Sequence, residues 1–170
     1  KEITVEDHQN SPMVADPLRL LDICPITDGG AAVVVTSAER AKDLKKKPVY
    51  ILGVGQSHIS WEVPYRSNLT ESGAKRSAEM AYRMAGLGPK DIDIAQIYDC
   101  YTSVALITLE DYGFCKKGEG GEFVASGAIE LNGSLPMNTS GGLLSETGMP
   151  GMQLILEGVR QLRGECGERQ

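Results

Sequence analysis

The chain has 170 residues, of which 41% are hydrophobic and 24% are charged. This composition fits one domain with a real core and excludes a disordered segment. A formal charge of −6 at pH 7 argues against a nucleic-acid partner bound through its phosphates. Only two histidines are present, His8 and His58, so mechanisms that need several histidines are excluded.

The four cysteines have neither the spacing nor the histidine neighbours of a zinc site, which argues against a structural metal. The chain opens on K-E-I-T, without a charged-then-apolar leader. Its longest apolar run, 31–35, is far below the ~18 residues of a membrane helix. We therefore expect free thiols, a reducing cytoplasmic setting and no membrane span.

The first half of the chain predicts alternating strands and helices after an opening loop over 1–30. The β-branched run 31–35 predicts a strand that is buried on both faces. A T-x-x-E pattern at 36–39 predicts a capped helix over about 37–44. A second strand is predicted over 49–59. Its G-V-G segment lacks the third glycine of a dinucleotide fingerprint, so we reject nucleotide binding there.

The remaining elements continue the alternation. Alanines at helical spacing predict a helix that ends at the A-G-L-G-P stop near residue 86, and a third strand follows over 92–98. Thr102 or Ser103 is expected to cap the next helix, over 104–112. The rest divides into glycine-rich loops over 113–150, with a short amphipathic piece at 123–129, and a last helix with its tail over 151–170. The apolar face of that helix is predicted to contain Met152, Ile155, Leu156, Val159 and Leu162.

This order of elements indicates an α/β protein with a mainly parallel sheet. Ligands of such sheets bind beyond the carboxyl ends of the strands. Two segments there carry unusual residues: Y-D-C-Y-T at 98–102, the tyrosine junction, and N-T-S-G-G-L-L-S-E-T-G-M-P-G at 138–151, the glycine loop. Free backbone N–H groups beside the double glycine can hold an oxyanion or a thioester carbonyl, although most glycine-rich turns are only turns.

Three segments carry motifs in a recognisable order: T-D-G-G-A-A at 27–32, Y-D-C-Y at 98–101 and N-T-S-G-G at 138–142. They resemble the (S/N)-D-G-A-A-A, H-D-C-F and N-x-x-G-G motifs in the C-terminal half of the thiolase superfamily, especially its SCP2-type lipid-transfer branch. The passage 85–93 is similar to the family's A-G-L…D-I-D. The resemblance covers nearly the whole chain. It implies half of a layered αβαβα fold, without the closing hairpin, and an N-terminal half in the same or a separate chain.

The departures from the family pattern bear on the reaction. The family's catalytic histidine comes from G-H-P, but the chain reads G-M-P at 148–150. A thioether such as Met149 cannot accept the proton of a cysteine nucleophile. Tyr98 stands where the family has an oxyanion-holding His or Asn. Cys166, in a polar tail, is not expected to be catalytic.

Ordinary thiolysis is therefore disfavoured, and the chain looks similar to thiolase-like retro-aldolases of bacterial steroid degradation. That resemblance implies tyrosine-dependent cleavage of a β-hydroxyacyl-CoA, with a coenzyme A thioester as substrate and no covalently bound cofactor. It also implies a homodimer and a DUF35 OB-fold partner. Two alternatives stay open: an acetyl-CoA acyltransferase whose histidine is replaced from elsewhere, and a non-catalytic acyl-CoA or lipid-transfer subunit.

The candidate catalytic residues are Tyr98, Tyr101 and Glu146. The Tyr98 phenol can donate to a carbonyl, or take a hydroxyl proton if its pKa is lowered. Tyr101 replaces a family aromatic and can equally be a packing residue. Glu146 is the only carboxylate in the glycine loop. The residues expected to line the substrate or coenzyme A site are Asp99, Asn138, Ser140, Gly141, Gly142 and Met149.

Overall fold

A computed structural model describes residues 2–60, 62–149 and 151–170. Helices and one antiparallel hairpin make up its regular structure: α1 (Val5–Asn10), β1 (Met13–Ala15), β2 (Leu18–Arg19), α2 (Ala38–Lys42), α3 (Ala74–Ala85), α4 (Thr102–Asp111), α5 (Gly120–Ala125), α6 (Gly142–Ser145) and α7 (Met152–Arg163). Short 3-10 turns cover Leu20–Asp22, Val63–Tyr65, Pro89–Asp91 and Gly167–Arg169. Lys1, Trp61 and Pro150, the proline of the G-M-P motif, lie outside the described residues.

The longer helices form where the local patterns predict them. Helix α3 ends at Gly86, which takes a left-handed φ of 69°, as a helix-terminating glycine does. Helix α4 covers the predicted segment, but neither Thr102 nor Ser103 caps it, because its cap position is Tyr101. Helix α2 is capped by Ser37, whose hydroxyl accepts from the Arg40 N–H, so the predicted T-x-x-E cap is wrong. Helix α5 begins at Gly120, three residues before the predicted amphipathic piece.

The opening segment, predicted as loop with short extended pieces, also forms helix α1, which the prediction misses. Thr4 and Asp7 form a reciprocal capping box at the start of α1. A Thr with an Asp three residues later is a readable helix start, so the sequence did contain this signal.

The three strands predicted at 31–35, 49–59 and 92–98 are not formed as strands. A strand needs a hydrogen-bonded neighbour about 4.8 Å away, and the described residues provide none for 31–35 or 49–59. Their apolar side chains stay at the surface, with Val34 90% exposed. Parallel pairing is limited to one bridge, between Ala95 and Met137, so the expected mainly parallel sheet is absent from the described ranges.

The core lies between the segment 92–97, helix α4 and the segment 135–137. Its buried centre consists of Ala95, Ile97, Leu109 and Leu135. Helices α3 and α5 both pack against α4. Gly53 and Gly55 bring the G-V-G segment directly onto α3. A Cβ at Gly55 would lie 1.8 Å from the carbonyl oxygen of Ser77, and a Cβ at Gly53 would lie 2.2 Å from the carbonyl oxygen of Ala81. The G-V-G segment therefore serves close packing.

The buried face of α7 differs from the predicted one. Of the residues predicted to face inward, Met152, Ile155 and Leu162 are exposed, and Leu156 and Val159 are half-buried. The side chains that point inward are Gln153, Leu154, Glu157 and Gln161. The predicted face is wrong because three polar side chains find hydrogen-bond partners inside, which apolar patterning does not register. No helix in the described ranges is long and apolar enough to cross a membrane.

Candidate functional site

Three segments that are distant in sequence meet beside the core: the opening segment 22–29, the tyrosine junction and the glycine loop. Ile23 and Tyr101 form an antiparallel bridge, and the adjacent Cys24 N–H donates to the Cys100 carbonyl at 3.0 Å. The Gly148 N–H donates to the Thr27 hydroxyl at 3.2 Å. The motifs that carry the family resemblance therefore form one site.

Asp99 fixes the glycine loop to the tyrosine junction. Its side chain is only 4% exposed, and its Oδ1 accepts a hydrogen bond from the Leu143 N–H at 2.7 Å. Gly142 has a φ of 62°, and a Cβ there would lie 2.3 Å from Asp99 Oδ2. The structure thus places Asp99, predicted to line the substrate site, in contact with the protein's own backbone.

Asn138 holds the start of the same loop. Its amide oxygen accepts from the Ile97 N–H at 2.8 Å, and its amide nitrogen donates to the Ile97 carbonyl at 2.9 Å. Its φ of 48° is left-handed, a conformation that Asn tolerates better than most residues. Both ends of the Asn138 side chain are therefore occupied by the core segment.

The centre of the loop carries groups without partners. Gly141, with a φ of 108°, closes a turn by donating to the Asn138 carbonyl at 2.7 Å. The Ser140 hydroxyl is buried and has no hydrogen-bond partner within the described part of the chain. There, the N–H groups of Ser140 and Gly142 make no hydrogen bond either. A buried unpaired polar group costs about 1–3 kcal/mol, so this is a place where a ligand or a water would be stabilised.

Met149 lies against the opening segment. A Cβ at Gly29 would come within 2.2 Å of the Met149 sulfur, so the thioether covers the glycine of the T-D-G-G motif. Gln153 of α7, which the sequence reasoning missed, donates to the carbonyls of Thr147 and Met149 at 2.9 and 3.3 Å. Its side chain therefore fixes the backbone on both sides of Gly148.

Tyr98 is the half-exposed phenol of the site, at 44% exposure. A Cβ at Gly151 would lie 3.2 Å from its ring. Burial raises the pKa of Tyr98, and the nearby Cys100, Cys24 and Asp99 raise it further. The phenol is therefore protonated at neutral pH and can donate a hydrogen bond. The alternative role of taking a proton, which requires a lowered pKa, is not supported.

The other two candidate catalytic residues lie in different settings. Tyr101 precedes α4, and its carbonyl accepts from the N–H groups of Val104 and Ala105. Glu146 is exposed at the end of α6. Its charge interacts with Arg169, and Glu146 is not among the groups that shift the pKa of Tyr98. The two tyrosines thus share one junction, and Glu146 is not connected to them.

Asp22 is a further residue that the sequence reasoning missed. It accepts from the Thr102 hydroxyl and the Arg19 N–H, each at 2.8 Å, and lies 3.0 Å from His8 Nε2. Burial alone would raise the pKa of Asp22, but these hydrogen bonds and the contact with His8 lower it. A single acid in the apolar stretch L-L-D-I-C was the only available signal.

No group of three or more His, Cys, Asp or Glu side chains in the described ranges is arranged as metal ligands would be. The polar groups that the site offers to a ligand include the Tyr98 phenol, the Ser140 and Thr147 hydroxyls and the loop N–H groups, together with the Gln153 amide oxygen as an acceptor. The donors in this set are suited to a carbonyl or an oxyanion.

Comparison with known proteins gives the family of the chain. The model of the thiolase C-terminal domain-like family matches residues 55–170. The 17-hydroxy-3-oxo-4-pregnene-20-carboxyl-CoA lyase of Mycobacterium tuberculosis is 49% identical over 171 residues, which are 96% of this chain and 44% of that protein. An acetyl-CoA acetyltransferase of Methanothermobacter thermautotrophicus is 41% identical over 173 residues, 99% of this chain and 45% of that protein.

A solved structure has the same fold. The Ltp2-ChsH2(DUF35) aldolase matches with a TM-score of 0.92 at 43% identity, covering 96% of this chain and 44% of that one. This chain therefore spans less than half the length of the relatives it matches. The predicted mixed α/β fold, the C-terminal half of the thiolase fold, is confirmed. The chain belongs to the thiolase C-terminal domain-like family.

Proposed function

We propose that this chain is the C-terminal half of an acyl-CoA aldolase, which cleaves a β-hydroxyacyl-CoA by a retro-aldol step. The observation that carries the proposal is Met149, which stands at the place of the family's proton-accepting histidine and packs on Gly29. A thioether cannot accept a proton, and retro-aldol cleavage does not require that histidine to activate a cysteine. The lyase and aldolase relatives support the same reaction class.

The reaction moves charge onto the thioester oxygen. The β-hydroxyl loses its proton, the Cα–Cβ bond breaks, and its electron pair passes into the thioester carbonyl. The products are a ketone or aldehyde and an enolate, which is protonated at Cα to give a shorter acyl-CoA. Donors aimed at the developing oxyanion lower the barrier. We assign this role to the protonated Tyr98 phenol, helped by the unpaired N–H groups of Ser140 and Gly142.

The remaining assignments follow from the same chemistry. Glu146, the carboxylate of the glycine loop, is proposed to take the hydroxyl proton, and Tyr101 to line the acyl site. Asp99 and Asn138 hold the loop on which the thioester lies, and Met149 forms an apolar wall beside it. A coenzyme A thioester is the substrate, without a covalently bound cofactor.

We also propose that the chain works as part of a longer protein in the cytoplasm, as a homodimer, and with a DUF35 OB-fold partner. The chain spans 44% and 45% of the length of two relatives, which supports a longer protein. The DUF35 component of the similar solved structure supports a DUF35 partner.

The test uses the full-length protein with its partner and two substrates. A β-hydroxyacyl-CoA should yield a shorter acyl-CoA and a ketone or aldehyde in equal amounts, measured by liquid chromatography and mass spectrometry. Acetoacetyl-CoA with free coenzyme A should not be thiolysed. Thiolysis would instead establish the acetyltransferase alternative, favoured by the 41% identical relative. Tight binding of both esters without any cleavage would establish the acyl-CoA carrier.

A further inference from the structure

Glu157 is a buried carboxylate on the inner face of α7, only 1% exposed. Its Oε1 accepts a hydrogen bond from the Thr139 hydroxyl at 2.7 Å. Arg169, from the segment after α7, reaches Oε2 with Nη2 at 3.3 Å. Glu157 therefore lies between the glycine loop on one side and the C-terminal segment on the other.

The hydrogen bonds around Glu157 require its ionised form. Every group that contacts its carboxylate is a donor: the Thr139 hydroxyl, the Gln161 amide, the Cys166 thiol and the Arg169 guanidinium. A protonated carboxyl would have no acceptor in this environment. Buried charges are tolerated when they are paired and fully hydrogen-bonded, and Glu157 meets both conditions.

The Thr139 hydroxyl is fixed in one orientation. It accepts from the amide nitrogens of Gln161 at 2.9 Å and Gln96 at 3.2 Å. Because two donors occupy its lone pairs, its own hydrogen points to Glu157. Thr139 lies between Asn138, which is tied to the core, and Ser140, whose N–H is unpaired.

We propose that Glu157 is a positioning residue, whose ionised carboxylate, held by Arg169, fixes Thr139 and thereby the orientation of the glycine-loop N–H groups. This inference rests on the proposed function, in which those N–H groups face the thioester oxygen. Asn138 fixes the first residue of the loop to the core and Asp99 fixes Leu143, and Glu157 fixes Thr139, which lies between them.

The charged and titratable groups near Glu157 determine in which direction the activity changes with pH. Burial alone would raise the pKa of Glu157, but the Thr139 hydrogen bond and Arg169 lower it. Burial and the Glu157 charge raise the pKa of the Cys166 thiol, so the thiol stays neutral. Arg169 also interacts with Glu146. Loss of Arg169 would raise the pKa of Glu157, and activity would then fall at a higher pH as the medium is acidified.

The experiment compares variants of the full-length protein with its partner. Thr139→Val should lower kcat about tenfold with KM nearly unchanged, because it removes a hydrogen bond to a charged group, and Thr139→Ser should restore kcat. Arg169→Gln should move the acidic limb of the kcat profile to higher pH, while Arg169→Lys should leave it in place. Arg83→Gln, at an exposed arginine of α3 that is not among the groups acting on Glu157 or Cys166, is the control and should behave as wild type.

A second readout does not depend on catalysis. Hydrogen exchange at the Gly141 and Leu143 amides, which donate to the Asn138 carbonyl and to Asp99, should become about tenfold faster in Thr139→Val and Glu157→Gln, but not in Arg83→Gln. Wild-type exchange in both variants, or a wild-type kcat in Thr139→Val, would overturn the positioning role. The two proposals can fail separately. If the variants show the faster exchange but the wild-type protein cleaves no β-hydroxyacyl-CoA, the positioning role of Glu157 stands and the proposed retro-aldol reaction is contradicted.

Discussion

The Asp99 carboxylate accepts the backbone N–H of Leu143 at 2.7 Å, across 44 positions of sequence. This bond joins the tyrosine junction to the glycine loop, so the two motifs of the site move as one unit. It also explains why an acid follows Tyr98. The carboxylate is needed to hold the loop, independently of any role toward a substrate.

Removal of this carboxylate should destabilise the fold. Asp99→Ala leaves the buried Leu143 N–H without an acceptor, which we expect to cost about 1.5–3 kcal/mol of unfolding free energy. Urea unfolding of the full-length protein measures the loss. Asp93→Ala, at an exposed aspartate, is the control and should stay within about 0.5 kcal/mol. Equal stability of the two variants would contradict the anchoring role.

Gly142 cannot accept a side chain. In Gly142→Ala the new methyl group would lie 2.3 Å from Asp99 Oδ2, at a φ of 62°. We expect a loss of about 2 kcal/mol or more from the clash and the left-handed backbone, measured as a lower Tm together with lower kcat. Gly30→Ala meets no atom within 4 Å and should leave Tm unchanged. A wild-type Tm in Gly142→Ala would show that the loop does not pack on Asp99.

Tyr98→Phe should remove the proposed donor and leave the ring in place. We expect kcat to fall by about 10²–10³-fold, as when one oxyanion donor is lost, with a small change in KM. Tyr112→Phe removes a phenol outside the site, at the end of α4, and should keep wild-type kcat. Turnover unchanged in Tyr98→Phe would exclude the donor role.

The pH profile tests the same phenol independently. The active form is the protonated one, and the pKa of Tyr98 is raised by burial and by the neighbouring Cys100, Cys24 and Asp99. Activity that depends on this proton should therefore persist through neutral pH and fall only above about pH 10. An alkaline limb centred near pH 8 that disappears in Tyr98→Phe would mean that the phenol ionises far more easily than this environment allows.

Acid stability should depend on Asp22. Because hydrogen bonds lower its pKa in the folded protein, its contribution is present above its ordinary value of about 3.9 and is lost as pH falls through the lowered value. Asp22→Asn should reduce stability at pH 7 and flatten the dependence of unfolding free energy on pH below about 4. Asp93→Asn is the control. Parallel curves for wild type and Asp22→Asn would contradict this assignment.

Local features of the fold were predictable from the sequence, and non-local ones were not. Helix α3 follows from alanine spacing and a terminal glycine, which are properties of adjacent residues. The strand at 31–35 was inferred from composition alone, but a strand exists only when another segment hydrogen-bonds to it. The predicted face of α7 is wrong in part for a similar reason, because Gln153 and Glu157 are buried through partners on other segments.

In the candidate site, too, local features were predictable from the sequence and non-local ones were not. The motifs at 98–102 and 138–142 indicated where it lies, and the structure brings them together with the opening segment. The roles of Asp99 and Asn138 as loop anchors depend on contacts with Leu143 and Ile97, more than 40 residues away, which no local pattern encodes. The upward shift of the Tyr98 pKa follows from burial and from the neighbouring Cys100, Cys24 and Asp99, which also require coordinates.

The unpaired apolar segments have a practical consequence for handling this polypeptide. Val34, Val35, Ile51 and Leu52 are exposed on stretches that lack a strand partner among the described residues. Exposed apolar segments rich in β-branched residues can pair with the same segments of other molecules. Preparations of the 170-residue chain alone will therefore tend to self-associate through these segments, and a charged substitution such as Val34→Lys is the first means of keeping them dispersed.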